Sequence, residues 1–404
     1  MVVRAAYGIF YGGEEQQGGN PNRGESAPFN ESPALNLTGN PFLPNPLWAN
    51  GNAIGGLTVG FPTTVFTTYP VTSLQMREVY PDFLNPMVQK WNVSVQRELG
   101  HDMALELGYQ GNHSSHQLFQ PNPNSCPNDP TTNTNITCTS LLPYPDIGGV
   151  SGTASFGKGN YHAMTAKLEK HYSNGLQFIS SFTWGHALAD TGTTLSGSNW
   201  FQTINNLNYG EDYSSAAWDI RLNFTTGFTY DVPFGRGRKF GSNLNRAVDI
   251  ALGGWQVNGI LTLHTGQPYT VAMNSTSYCV GVWSGCFPDY VGSGGANAAP
   301  AGGRTPSEWF NTANFAPPAA LTEGNLGDNT NYGPPLRTLD ASIFKNFDFT
   351  ERYKLQFRGE FFNIANTPQF GFPDSGYGDS TFGKVTSTVS GTERHIQFSL
   401  KFLF

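Results

Sequence analysis

Charge is scarce in this chain of 404 residues: Asp, Glu, Lys and Arg together make up 13%, against roughly 25% in soluble domains. No run of about 18 apolar residues occurs, which excludes a transmembrane helix. A basic excess is missing too. The net charge is −7 and the pI about 5.6, so no nucleic-acid partner is expected. The start, Met1 to Tyr11, has no signal-peptide pattern: its apolar stretch is short and no small-residue cleavage site follows. An exported protein needs such a signal, so residue 1 is expected not to be the natural start. No Ser/His/Asp or Cys/His set can be assembled from the sequence. Hence no catalytic residue, cofactor site or metal site is assigned, and an enzyme is not expected.

What is present is unusual in combination. Aromatics reach 14%, with 30 Phe and 17 Tyr, beside 48 Gly and 27 Pro, while mean hydropathy is only −0.34. Two classes share this profile. One is a membrane β-barrel, whose strands are apolar on one face and polar on the other, with polar loops. The other is a secreted all-β protein.

The useful period is two. From Asp219 to Val232 the even positions read Ile220, Leu222, Phe224, Thr226, Phe228, Tyr230 and Val232, and the odd ones are Asp, Arg, Asn, Thr or Gly. A strand with one greasy and one polar face produces this pattern. It is long enough to cross a bilayer at a tilt, which takes about 9–11 residues. Similar alternation predicts ten strands: 2–12, 87–99, 102–112, 160–172, 175–187, 219–232, 254–266, 337–349, 352–365 and 393–404. The segments 2–12, 160–172 and 337–349 alternate less cleanly.

The connections alternate as well. Long ones span 13–86, 113–159, 188–218, 267–336 and 366–392, with short ones at Gly100–His101, Ser173–Asn174 and Thr350–Glu351 and an intermediate one at 233–253. Short periplasmic turns and long extracellular loops give a membrane barrel this asymmetry, whereas a soluble sandwich has no reason for it. The fold class expected is therefore an all-β, antiparallel transmembrane β-barrel in a single domain over 1–404. Its last strand runs down to a periplasmic Phe404. Tyr7, Tyr11, Tyr109, Trp184, Tyr230 and Trp255 fall at strand ends, where interfacial aromatic girdles sit. Arg221, Asp231, Arg358 and Glu360 take the polar parity and are expected to face water, a plug or one another.

The four cysteines form two close pairs, Cys126/Cys138 and Cys279/Cys286, both in long outer loops. They read as two local disulfides in an oxidising compartment, each worth ~2–3 kcal/mol against loop disorder. A four-cysteine zinc site is the alternative, though no C-x-x-C spacing supports it. His113 and His116 share a loop as H-x-x-H without a nearby third ligand, and solvated histidines are the simpler reading. Gly235-Arg236-Gly237-Arg238-Lys239 lacks the G-x-x-x-x-G-K-[ST] pattern of a phosphate loop and reads as a periplasmic turn. Its three cations could meet anionic phospholipid heads at the inner rim.

At the carboxyl end Ile396, Phe398, Leu400, Phe402 and Phe404 share one face. An alternating strand with a terminal Phe looks like the signal that hands outer-membrane proteins to the barrel-assembly machinery. An ordinary amphipathic strand ending the chain is the plainer alternative. Four phrases carry a broader resemblance: NPMVQKWNVSVQRELG (Asn85–Gly100), NYHAMTAKLEKHYSNGLQFISSFTW (Asn160–Trp184), VPFGRGRKFGSNLNRAVDIALGGW (Val232–Trp255) and LQFRGEFFNIAN (Leu355–Asn366), together with Phe404. In this order they resemble the Oar-like branch of the TonB-dependent receptors.

That resemblance implies the carboxyl-terminal part of a barrel of about 22 strands. A carboxypeptidase-regulatory-like sandwich and a plug normally precede it, and neither is found in this sequence, nor is a recognisable TonB-binding box. A truncated gene, a fragment or a protein without its gate is expected. The implied function is uptake of an unidentified bulky nutrient at the outer membrane of a Gram-negative bacterium. The implied partners are outer-membrane lipid, the barrel-assembly machinery, the transported ligand and, only through the missing amino-terminal region, TonB. The alternatives are a small closed barrel acting as passive pore or adhesin, and a soluble secreted β-protein.

Overall fold

The computed structural model describes residues 1–12, 37–38, 47–48, 74–119, 121, 123–124, 144, 147–190, 209–274, 286–319, 324–348 and 352–404. Ten strands form the path of one large sheet, each neighbour antiparallel. They are β1 (Val2–Tyr11), β2 (Met87–Gly100), β3 (Met103–Phe119), β4 (Ile147–Ser173), β5 (Leu176–Ala189), β6 (Leu222–Asp231), β7 (Trp255–His264), β8 (Leu336–Asp348), β9 (Lys354–Phe362) and β10 (His395–Leu403). They lie side by side in chain order, an up-and-down meander with β1 and β10 at its two edges. Leu74–Val79 and Ser214–Ser215 add short partners to β4 and β5.

Turn chemistry explains the tight connections. Ser173 and Leu176 pair across Asn174 and Gly175, both at positive φ of 53° and 80°. A two-residue Asn-Gly turn suits the right-handed twist of a hairpin. Between β2 and β3, Gly100, His101 and Asp102 are all left-handed, so that turn uses three such residues where one Asn-Gly pair serves the other.

The registers join the alternating residues into two continuous faces. Trp184, Leu222 and Phe224, Phe182 are opposite or diagonal neighbours, and Phe224 in turn faces Leu263. Leu261 faces Leu339, Ile343 faces Gly359, and Phe357 faces Leu400. On the other flank Val3, Val95, Leu107 and Ala166 stand in one row. This face is mainly apolar, with Arg97, Lys170, Arg337 and Lys345 toward its ends, and much of it is bare: Trp184 is 57% exposed, Phe398 65% and Leu400 68%. Such an area of exposed hydrocarbon is foreign to a water-soluble body. The opposite face is polar and bonds to itself. Arg4 donates to Gln96, Asn258 to Ser342, and Gln397 to Glu360 at 2.7 Å.

Several boundaries differ from the sequence reading, and three of the differences have a clear physical cause. The strand expected at 160–172 begins at Ile147, and the one expected at 102–112 runs on to Phe119. Their upper halves pair with each other and, through β4, with Leu74–Val79. Thr153, Ala154 and Ser155 there are buried in succession, so small residues replace alternation. The ladder also slips between Ser114 and Gln117, around left-handed His116, which breaks the period of two. His113 and His116 consequently lie on a strand and not in a loop. Conversely, the strand expected at 219–232 starts only at Leu222, because Asp219 closes a turn on Ala216 and takes the Ala187 amide with its carboxylate.

The largest buried apolar cluster lies outside the ten strands. Val271, Phe287, Trp309, Phe310, Phe315 and Leu326 form it. They come from the connection between β7 and β8, and Tyr377, Phe382 and Val385 from the connection between β9 and β10 pack against them. Phe310 stacks edge-on with Phe315 and Phe382 at 5.4 and 5.2 Å. Short ladders tie this cap: Pro268–Tyr269 with Asn331–Tyr332, Ala272–Met273 with Gly376–Tyr377, and Asp289–Tyr290 with Phe315–Ala316.

Candidate ligand site at the outer mouth

The cap meets the sheet through a polar junction. Asp219, whose side chain is 1% exposed, accepts from the Ala187 amide at 2.7 Å, from Arg221 Nε at 2.9 Å and from His186 Nδ1 at 3.0 Å. Arg221 Nη2 approaches His186 Nε2 at 3.1 Å. A guanidinium only donates, so Nε2 must accept and the proton sits on Nδ1. With Nε2 taken by Arg221, the imidazole has no free acceptor nitrogen to act as a base, and the His–Asp pair works as a strut. Ser215 shares a 3.0 Å hydrogen bond with the Tyr332 hydroxyl, and Trp309 Nε1 donates to the Tyr332 carbonyl. Tyr332 thus couples the connection after β5 to the cap.

Beside this junction lies a cavity of about 580 Å³, lined by Ser214, Ser215, Tyr290, Ala296, Asn325 to Thr330 and Tyr332. Hydroxyls, amides and two phenols dominate its wall. Its one carboxyl, Asp328, accepts from Thr270 Oγ1 at 3.0 Å. Burial pushes that carboxyl above the usual carboxylate range, with the Thr270 hydrogen bond opposing. Arg304 supports the cap from within, donating to the carbonyls of Trp309 and Asn297, and its burial lowers its pKa. The wall can hold a polar ligand by hydrogen bonds and ring contacts. It assembles no nucleophile with a free base.

A second hollow, about 420 Å³, lies on the polar face of the sheet across β5 to β9. Asn258, Asp340, Ser342 and Glu360 line it, beside Ile179, Ile260 and Phe362.

The residues singled out from sequence distribute as follows. Arg221 joins the junction, while Asp231 accepts from Tyr172 and Gln256 at 2.5 and 2.9 Å near the opposite end of the sheet. Arg358 bonds Gln356 and lies 4.9 Å over the Phe344 ring. Each of these residues, like Glu360 with Gln397, bonds a neighbouring polar side chain and not another of the four. Tyr7, Tyr11, Tyr109, Trp184, Tyr230 and Trp255 all share the apolar face. Ile396, Phe398, Leu400 and Phe402 follow on that face of the edge strand, with Phe404 just beyond it. Cys286 is buried and disulfide-bonded; Cys126, Cys138 and Cys279 lie outside the described residues. His113 bonds Asn160 at 2.8 Å. Among the described residues no three metal-ligating side chains converge.

Tyr332, Asp328, Ser215 and the cap core were missed in the sequence. The density of aromatics between Phe287 and Phe315 was the available signal, since a solvated loop has no use for that many rings.

A family model described as outer membrane beta barrel domain matches residues 1–397. No curated protein matches the chain. Among solved structures, the outer membrane transporter YddB from Escherichia coli is similar over 99% of this chain and 38% of its own, at 8% identity and a TM-score of 0.48. BauA, the ferric preacinetobactin receptor from Acinetobacter baumannii, is similar over 79% of this chain and 30% of its own, at 13% identity and 0.38. FpvA, the pyoverdine receptor from Pseudomonas aeruginosa, is similar over 80% and 30%, at 12% and 0.35. The chain therefore spans well under half the length of these receptors. With its apolar sheet face and a family match over nearly its whole length, the chain belongs to the outer membrane beta barrel domain family and is an outer-membrane protein.

Proposed function

We propose that residues 1–404 are one continuous domain, the carboxyl-terminal ten strands of an Oar-like, TonB-dependent transporter barrel that imports a bulky nutrient. The observation that carries this reading is the open sheet. Among the described residues β1 pairs only with β2 and β10 only with β9, so in this reading two edges await partners. Unpaired backbone in hydrocarbon costs several kcal/mol per group, so further strands must complete the wall. A ten-stranded pore would join β1 to β10, and no such pairing is present among the described residues. The mouth cavity and folded cap favour capture of a ligand from outside, with TonB acting through a part of the protein beyond these strands.

In this reading Ile396, Phe398, Leu400, Phe402 and Phe404 serve as the barrel-assembly signal, and Cys126–Cys138 and Cys279–Cys286 are disulfides of the outer loops. Antibodies to the cap, applied to outer membranes of the native cell, test the central point. The expected species is heat-modifiable and far larger than 43.9 kDa, and ligand uptake stops when TonB is removed. A heat-modifiable species of the chain's own mass, with uptake indifferent to TonB, would leave the passive pore or adhesin standing. Deleting Phe404 should slow assembly, and equal insertion rates would remove the signal role. Mass spectrometry of unreduced peptides should find the two cysteine pairings; any other pattern rejects them.

A further inference from the structure

We propose that the turn joining β6 to β7 is a binding site for the headgroup of an anionic phospholipid in the inner leaflet of the outer membrane. This turn lies at the end of the sheet opposite the cap, which the loop asymmetry makes periplasmic. It carries Arg236, Arg238, Lys239 and Arg246 against a single carboxylate, Asp249, in a chain whose net charge is −7. Asp249 is turned inward and accepts the Arg236 amide at 2.7 Å. Arg238 stands 3.8 Å from Asp231. Arg236, Lys239 and Arg246 are exposed and form no ion pair among the described residues.

The side of the sheet it occupies decides the partner. A short helix, α1 (Arg246–Leu252), closes the turn. Its last carbonyls are held by residues of the lipid-facing side: Trp255 Nε1 donates to Ala251 O at 3.1 Å, and Lys345 Nζ donates to Ala251 O at 3.3 Å and to Gly253 O. Trp255 and Lys345 stand opposite each other in the register, and Phe357 stands next in the same row. The helix therefore lies against the outside of the wall and not beneath its lumen. Phe240, Ile250 and Leu252, each more than half exposed, extend the apolar surface there. Cations beside exposed hydrocarbon at headgroup depth match a lipid with an anionic head and two acyl chains. The site needs only the strand orientation and is independent of the transport reading.

The test takes the whole membrane protein that carries these residues, purified from outer membranes and reconstituted in vesicles of phosphatidylcholine with a minor fraction of phosphatidylglycerol, and counts co-purifying lipids by native mass spectrometry. Phosphatidylglycerol should be enriched roughly tenfold or more over its share of the bilayer, since each surface cation contributes about 1 kcal/mol. Molar salt should abolish the enrichment, because the Debye length shrinks to about 3 Å. The quadruple variant R236Q/R238Q/K239Q/R246Q should retain both lipids in bilayer proportion, while the outer-loop control K384Q/R394Q behaves as the native chain. Heat-modifiable gel mobility reports whether the variant is folded. Equal retention of the two lipids by the native protein, enrichment that survives molar salt, or unchanged enrichment in the folded variant would each overturn the assignment.

Discussion

At the scale of single residues, the lipid-facing side carries glycines that are not gaps. A Cβ on Gly111 would meet the Trp91 ring at 2.7 Å, one on Gly259 the Phe228 ring at 2.6 Å, and one on Gly359 the Phe398 ring at 3.2 Å. In each case an aromatic ring from the neighbouring strand lies over the bare backbone, which restores contact area and shields the ladder. Polar groups on this face also find partners: Ser180 and Thr226 hydroxyls stand 2.6 Å apart, and the Tyr109 hydroxyl meets His162 Nδ1 at 2.8 Å. Gly259→Val should displace Phe228 and cost about 1–3 kcal/mol by overpacking. Gly227→Ala, where the nearest atom is 4.0 Å away, should be neutral. Urea titration of the membrane-folded protein compares them, and equal losses would refute the ring-over-glycine account.

Asp328 makes the cap sensitive to pH. Its carboxyl is held above the ordinary carboxylate value by burial, so the folded cap binds its proton more tightly than the unfolded loop does. Stability should therefore be greatest when Asp328 is protonated, and should fall as pH rises from about 4 through the raised value. Asp328→Asn keeps the neutral form and should flatten that dependence. Hydrogen exchange in 265–335 against pH reads it. An Asn variant with an undiminished slope would assign the effect to another group.

At the scale of elements, alternation revealed what lipid and water each wet, and little else. Positions such as Leu222 to Asp231 were legible because each side chain meets one solvent or the other. The upper half of β4 was not, since Thr153 to Ser155 are small and buried in a row. The left-handed kink at His116 hid the upper half of β3 in the same way. The cap was illegible for a third reason. Its core unites residues far apart in sequence, such as Phe310 and Phe382, and its ladders are two residues long, too short to show any period. Sidedness within a strand predicts unequal costs for one substitution. Leu261→Arg, facing lipid, should lose ~2–4 kcal/mol if it lies near the bilayer midplane. Thr262→Arg, facing the lumen, should be tolerated. Equal losses in urea titration would mean the two faces see the same medium.

At the scale of the whole molecule, the arrangement inverts that of a water-soluble protein. Many large apolar side chains of the sheet are exposed and polar ones of its other face bond to one another, while a conventional core stands apart at the mouth. Lipid supplies the missing cover for the apolar face; in the proposed reading, further strands pair with β1 and β10 and a ligand occupies the mouth cavity. Each of these depends on which medium wets which face of the ten strands. Site-directed spin labelling along β6 in the membrane-embedded protein measures this most directly, comparing collisions with dissolved oxygen and with a water-soluble nickel chelate. Labels at Phe224, Thr226, Phe228 and Tyr230 should collide with oxygen, and those at Asn223, Thr225 and Thr229 with the chelate, in strict alternation. Even-numbered positions shielded from both reagents, or open to the chelate, would contradict the account.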